Sequence, residues 1–381
     1  MPKPIYLDYN ATTPHDPEVI AAMRPFFEEE FGNPSSSHYY GIRPKQAVIR
    51  ARQQIASLLN CQPEEIIFTS GGTESNNFAI KGCAQAFRHK GNHMITSQIE
   101  HPAVLEVCHF LENNGFEVTY LPVDEFGQVH TENVKAAIKK KTVLISIMHA
   151  NNEVGTVEPI TEIAQLVKEH GIIFHTDAAQ SVGKIPVDVN SLGVDLLSIA
   201  GHKVYAPKGV GALYIRQGLA PIKFMHGADQ ELAKRAGTEN VLEIVGLGMA
   251  CEIAKRDLDK NSRHMQAMRD RLYEEIKKEC DPVKLNGHPQ KRLPNTLNIS
   301  FLDLEANRIL DFIASEVAAS AGAACHSDRV KVSEVLEAMN VPLEWAKGTL
   351  RLTTGRMTTA ADIDKTVEII CAAVNKFRTE G

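Results

Sequence analysis

No stretch of this chain approaches the run of roughly 20 apolar residues that a membrane-spanning helix requires. The first ten residues, Met-Pro-Lys-Pro-Ile-Tyr-Leu-Asp-Tyr-Asn, lack the apolar segment of a secretory signal. Basic excess is also missing: 41 Lys+Arg stand against 47 Asp+Glu, a net charge of −6. Nucleic-acid binders show the opposite balance and basic clustering, so DNA or RNA work is not expected. The 7 cysteines include no C-x-x-C pair and are odd in number. Neither a zinc site nor a disulfide framework is therefore expected, and a reducing, cytoplasmic setting fits best. Internal repeats, low-complexity tracts and long linkers are absent as well.

What remains is an ordinary folded composition. Apolar residues make up 43% and charged residues 23% of the chain, which argues against disorder. The 381 residues suffice for two or three structural units, or for one large enzyme domain with an appendage. From about residue 65 to 215, short β-rich runs alternate with helical patterns. The runs are Glu65–Ser70, Met94–Ser97, Glu117–Leu121, Val143–His149, Ile172–Asp177, Asp195–Ala200 and Val210–Ile215. Apolar strands alternating with amphipathic helices predict a mostly parallel sheet covered on both faces. Past residue 250 a long charged helix (Ile253–Cys280), strands at Asn295–Phe301 and Thr349–Thr353, and a helix at Ala360–Phe377 read as a smaller α+β unit. The expected division is a large domain of residues 15–250, with 1–14 and 251–381 forming the small one.

Ligands of such sheets bind beyond the C-terminal strand ends, so those loops hold the candidate chemistry. Thr69-Ser-Gly-Gly-Thr-Glu74 joins a strand to a helix. Glycines admit a ligand close to the backbone, and the helix N-terminus favours an anion. Asp177 ends an apolar strand, where it is either a helix cap or a partner for a protonated ring nitrogen, with Gln180 three residues on. Lys203 follows another strand end among small residues, and desolvation there lowers an amine's pKa and makes it nucleophilic. His101 precedes a helix at a fourth loop. Each has an ordinary structural reading alone. Together they match what pyridoxal phosphate demands: a lysine for a Schiff base, a ring-nitrogen partner and a phosphate cradle.

With those residues in place, the chain resembles the cysteine desulfurases (the NifS/IscS type) among the class V aminotransferase-like, fold-type I pyridoxal phosphate enzymes. The likeness runs nearly end to end. It is carried by Tyr6-Leu-Asp-Tyr-Asn-Ala-Thr-Thr-Pro14, Phe31-Gly-Asn-Pro-Ser-Ser36, Thr69-Ser-Gly-Gly-Thr-Glu-Ser75 and Glu100-His101. Further matches are Met148-His-Ala-Asn-Asn-Glu-Val-Gly155, Asp177-Ala-Ala-Gln180, Gly201-His-Lys203, Arg235-Ala-Gly-Thr-Glu-Asn240 and Arg351-Leu-Thr-Thr-Gly-Arg356. The resemblance implies an α/β fold whose large domain holds a mostly parallel seven-stranded sheet. It also implies that Lys203 carries the cofactor, that His101 stacks on its ring as an acid/base, and that Asp177 and Gln180 face the ring nitrogen and hydroxyl. Gly72, Thr73 and His202 would hold phosphate, joined by Thr238 from a neighbouring subunit, so that a homodimer is implied. Arg351, with Asn33 and Asn152, would take the substrate carboxylate; no metal is implied. Two departures stand out: Ala200, where the family commonly has Ser, and the stretch His226-Gly-Ala-Asp-Gln-Glu231 with its Ala228-Asp229.

Cys325, in Ser320-Ala-Gly-Ala-Ala-Cys-His-Ser-Asp-Arg329, has small residues before it and polar ones after it, which suggests a mobile surface loop spanning about 320–332. By resemblance it takes sulfur from L-cysteine as a persulfide, leaves alanine, and passes the sulfur to an acceptor protein such as an iron–sulfur scaffold. Residues 321–328 resemble selenocysteine lyases somewhat more, whereas the interval from Cys325 to Val335-Leu336 resembles long-loop desulfurases. L-selenocysteine is thus the rival substrate, and transamination or epimerisation on the same fold a second rival. A non-enzymatic scaffold protein is disfavoured by the intact Lys203, Asp177, His101 and Cys325. The chain stops soon after its last helix, where desulfurases that feed cluster scaffolds usually extend further, which weakens that choice of acceptor.

Overall fold

The structure is a computed structural model that describes residues 3–326 and 329–380; of residues 323–331 only the backbone is described. Seven short, apolar, β-branched segments form the central sheet: β1 (Ile66–Thr69), β2 (His93–Ser97), β3 (Glu117–Leu121), β4 (Thr142–Ser146), β5 (Ile173–Asp177), β6 (Leu196–Ala200) and β7 (Gly211–Ile215). Their order is β1-β7-β6-β5-β4-β2-β3. Neighbours from β6 to β3 pair in parallel, and β7 runs antiparallel to both β1 and β6. All seven lie within two residues of the expected runs at their starts. Helices between them cover both faces, which is why these strands read as continuous apolar runs rather than alternating ones. Three loops after β4, β5 and β6, and two more after β1 and β2, therefore gather at one edge of the sheet.

The long helix starts earlier than expected. It runs over Val241–Cys280 and is capped by Asn240, whose side chain accepts from Glu243 N. Gly246 and Gly248 disfavour a helix in isolation, but here they serve packing. A Cβ on Gly248 would sit 2.6 Å from Ala51 Cα and Cβ, so the helix Tyr39–Leu59 can close directly on this backbone. The apolar residues of the long helix change cores along its length. Ile244, Leu247, Ala250 and Ile253 join the core under the central sheet, whereas Leu272 and Ile276 join a second one.

That second core lies beneath a four-stranded antiparallel sheet in the order Ser320–Ala321, Thr349–Thr353, Thr296–Phe301, Val283–Leu285. The N-terminal segment packs there too: Ile5–Tyr6 pairs in parallel with Val317–Ala318, and Leu7 is fully buried in the core. Cys280 and Cys371, 91 residues apart, are disulfide-bonded within it. The expectation of unlinked thiols thus fails for this pair, which only the packing of the long helix against Ala360–Glu380 brings together. Cys61, half-buried, and the buried Cys83, Cys108 and Cys251 are free thiols. Among the described residues no helix is long and apolar enough to cross a membrane, and no cluster of His, Cys, Asp or Glu could hold a metal ion.

Candidate active site

The gathered loops line a cavity of about 320 Å³. The helix Gly72–Ala86 opens at its rim, with Gly71 at φ +151° as its cap and no side chain bonded there. A left-handed glycine was needed for β1 to turn straight into a helix. The uncapped first turn leaves N–H groups available to an anion. His202 and Lys208 stand on the same side, bordering a neighbouring depression with Gly72 and Thr73. Burial pushes the His202 imidazole down to about 4, helped by Lys203 and Lys208. It is a neutral ring whose Nδ1 lies 3.2 Å from Thr12 Oγ1. Ala200 faces Gly72, with only 3.2 Å between its Cβ and an ideal Cβ at that glycine, so the departure at Ala200 lies in the wall of the site itself.

Asp177 ends β5 and is 8% exposed. Its two oxygens are held by Ala179 N at 2.9 Å and by Asn76 Nδ2 at 2.6 Å. Asn76 is a site residue that the sequence reading missed; one turn into a helix, it looks like any polar position. His101 caps the helix Pro102–Glu112, and its Nδ1 accepts from Ala103 N at 3.1 Å. That bond leaves the proton of the neutral ring on Nε2. Desolvation lowers the His101 pKa, with Lys203 adding to the effect and Asp177 opposing it.

Lys203 ends a short 3₁₀ turn after β6. Its Nζ donates to Asn10 O at 2.5 Å and Ala11 O at 2.7 Å. Burial brings its pKa down to about 8, with Arg351 pushing the same way and Asp8 and Asp177 opposing. An amine with that value is about one-tenth uncharged at pH 7, against roughly a few parts in ten thousand for an ordinary lysine, which favours its action as a Schiff-base nucleophile. Gln180 donates from Nε2 to Asn10 O at 3.0 Å.

Arg351 crosses from the second sheet into the cavity. One Nη2 donates to Asp8 Oδ1 at 2.8 Å and to Ser320 Oγ at 3.2 Å, and Nη1 to Asn152 O at 3.3 Å. Its buried Nε has no partner, so the guanidinium retains donors for a carboxylate. Ser320 belongs to the segment from which the cysteine hairpin springs. The backbone of Ala323–His326 pairs antiparallel with Arg329–Val332, Cys325 opposite Val330. The backbone at Cys325 is a hairpin strand; the expected mobile thiol side chain lies outside the described part of the structure. The roots of the hairpin, Ser320–Gly322 and Val332–Ser333, do line a second cavity of about 450 Å³ that also includes Arg351 and Glu100.

The structure therefore brings together Gly72, Thr73, His101, Asn152, Asp177, Gln180, His202, Lys203 and Arg351 around one cavity. Two expected members stand apart within the single chain. Asn33 is exposed and its Oδ1 caps Ser35 N at 2.9 Å. Thr238 lines a separate depression with Glu231 and Arg235. The residues fit pyridoxal phosphate: an uncapped helix start for the phosphate, a buried carboxylate for the ring nitrogen, and a desolvated lysine in the same cavity.

An aminotransferase class V model matches residues 5–366, so the chain belongs to that family, whose fold is the one described above. Within it, the chain is 52% identical over 380 residues to a cysteine desulfurase IscS from Dictyoglomus turgidum, covering 100% of this chain and 96% of the relative. It is 49% identical to a cysteine desulfurase IscS from Methanosarcina thermophila, covering 99% and 93% of the two chains. These relatives make it a member of the cysteine desulfurases of the NifS/IscS type. Among solved structures, a NifS-like protein superposes with a TM-score of 0.92 at 35% identity, covering 98% of this chain and 100% of that one. SspA in complex with cysteine superposes at 0.81 and 38% identity, covering 94% and 100%.

Proposed function

We propose that the chain is a pyridoxal phosphate-dependent cysteine desulfurase that converts L-cysteine to L-alanine and stores the sulfur as a persulfide on Cys325. The observation that carries this is Lys203, a desolvated amine that lines one cavity with the buried carboxylate of Asp177 and the uncapped helix start at Gly72 and Thr73. Bound there, the cofactor supplies a sink for the electrons released at the substrate's Cα. The chain's own residues do the rest. Gly72, Thr73 and His202 hold the phosphate. Asp177, fixed by Asn76, keeps the ring nitrogen protonated, and Gln180 donates toward the ring hydroxyl. His101 would stack on the ring, with the proton of its neutral imidazole on Nε2 because Nδ1 accepts from Ala103 N. Arg351 and Asn152 fix the substrate carboxylate, which orients the Cα–H bond toward Lys203. Lys203 Nζ takes that proton and later returns one to the product.

The sulfur step falls to Cys325. Its thiolate attacks the substrate sulfur, the C–S bond breaks, and the bonding pair stays with the carbon fragment, which is protonated to alanine. The thiol of Cys325 becomes a persulfide, so L-cysteine and one protein thiol give L-alanine and one persulfide with no outside oxidant. Arg351 bonds both the substrate site and Ser320 at the hairpin root, which supports delivery of Cys325 to that place. The relatives named cysteine desulfurase favour L-cysteine over L-selenocysteine.

The wider setting follows the same reading. The protein acts as a cytoplasmic homodimer in which Thr238 of each subunit completes the other's phosphate site, and an acceptor protein, such as an iron–sulfur scaffold, receives the sulfur. A large domain over residues 15–250 and a small one over 1–14 and 251–381 are supported by the second apolar core, whose members all come from residues 5–7 and 268–377. The test is the cofactor-loaded Cys325→Ala variant. It is expected to keep its visible absorbance and to lose at least a hundredfold in alanine formation from L-cysteine; undiminished alanine formation would remove Cys325 from the reaction. Comparing rates on L-cysteine and L-selenocysteine decides the substrate, and a strong preference for the latter would reverse the choice.

A further inference from the structure

Lys184 has no place in the chemistry above, yet it is one of the most deeply buried cations in the molecule. Its side chain is 4% exposed. Its Nζ donates to Gln180 Oε1 at 2.8 Å and to Asn10 Oδ1 at 3.1 Å. Burying an amine is costly unless its hydrogen bonds are replaced, and a methionine of similar length would fill the same space without that cost. Burial, with Lys203 and Arg351 nearby, holds the Lys184 pKa well below the ordinary lysine value. Charged or neutral, an amine has at least two N–H donors, so both bonds survive in either state.

The two acceptors are informative. Gln180 is one turn before Lys184, so the pair spans a single i, i+4 step. With Oε1 taken by Lys184 and one Nε2 hydrogen by Asn10 O at 3.0 Å, the amide has a single allowed orientation. Turned over, it would set N–H against the lysine's N–H groups and oxygen against a carbonyl. The second Nε2 hydrogen is then left for a group in the cavity that Gln180 borders. Asn10 is the other end of the device. Its Oδ1 also accepts from Asn295 Nδ2 at 2.9 Å, its Nδ2 donates to Thr296 Oγ1 at 2.9 Å, and its backbone carbonyl takes the Lys203 amine.

We propose that Lys184 is a positioning residue that locks the Gln180 amide with its N–H toward the cofactor's ring oxygen and, through Asn10, holds the carbonyl on which Lys203 rests. This rests on the reading of the cavity as a pyridoxal phosphate site, which it deepens.

The test is the pH midpoint of the cofactor's visible absorbance band, read with substrate absent, in Lys184→Met, Gln180→Leu and the double variant. A hydrogen bond to the ring oxygen stabilises its anionic form and lowers the proton affinity of the neighbouring imine nitrogen. Losing it is expected to raise the midpoint by about one unit, the equivalent of one ordinary hydrogen bond. Gln180→Leu and Lys184→Met are expected to move it similarly, and the double variant no further than either. Lys184→Gln, one bond shorter but still a donor, is expected to give a smaller shift than Lys184→Met, and it carries the test alone should the methionine variant not fold. The inference is overturned if Lys184 substitutions leave the midpoint at the wild-type value while Gln180→Leu moves it, or if the two shifts add in full. A wild-type protein that develops no visible band at all would instead overturn the cofactor reading beneath it.

Discussion

At the residue scale, several groups in and beside the site are withdrawn from water. Glu100 shows how strongly. It is 3% exposed. Its Oε1 accepts from Ser97 Oγ at 2.7 Å and Met148 N at 2.9 Å, while Oε2 has no partner. Burial, opposed by those two bonds and reinforced by Asp177, pushes its carboxyl up to about 8 from an ordinary 4.5. Between those values the folded protein keeps a proton that the unfolded chain has lost, so stability falls as pH rises through this window. Gln has the shape of the protonated acid. Glu100→Gln is expected to gain on the wild type between pH 5 and pH 8 by about 1.4 kcal/mol per pH unit at most, seen in denaturant melts at the two pH values. A constant difference at both would show that Glu100 ionises normally. That Lys203 and Asp177 share one cavity was legible in the sequence because strand ends mark them, and Arg351 through the motif that carries the resemblance. Asn10, Asn76 and Lys184 were not, since what distinguishes them is a bond across 101 residues, as from Asn76 to Asp177, or a burial that only packing creates.

At the scale of elements, strand positions followed from apolar runs bounded by turns, and all seven central strands appear where expected. Periodicity failed where packing overrides propensity. The first 12 residues of the long helix carry two glycines and a full apolar face, features that argue against an exposed helix and suit one pressed on Tyr39–Leu59. Gly248 is the tightest point of that contact, since a Cβ there would also lie 2.4 Å from Gln54 Oε1. Gly248→Val is expected to destabilise the protein by about 1–3 kcal/mol through overpacking, read as a lower denaturation midpoint. An unchanged midpoint would mean that the two helices can separate at no cost. The bonded pair Cys280–Cys371 escaped the sequence for the same reason: spacing says nothing about which distant thiols a fold will bring together.

At the scale of the molecule, two cores share one long helix, and the site lies where their elements meet. Lys203, Asp177, Gln180 and His101 come from the central sheet, and Arg351 from the second one, with Asp8 and Asn10 between them. This arrangement places Arg351 and the hairpin that carries Cys325 on one sheet system and Lys203, Asp177 and His101 on the other. All of it rests on Lys203 as the point of cofactor attachment. The most direct test is to incubate the protein with pyridoxal phosphate, reduce with borohydride, digest it, and map the modified peptide by mass spectrometry. A single pyridoxyl adduct on Lys203, absent from Lys203→Ala, is the expected result; no adduct, or one confined to another lysine, would contradict the account.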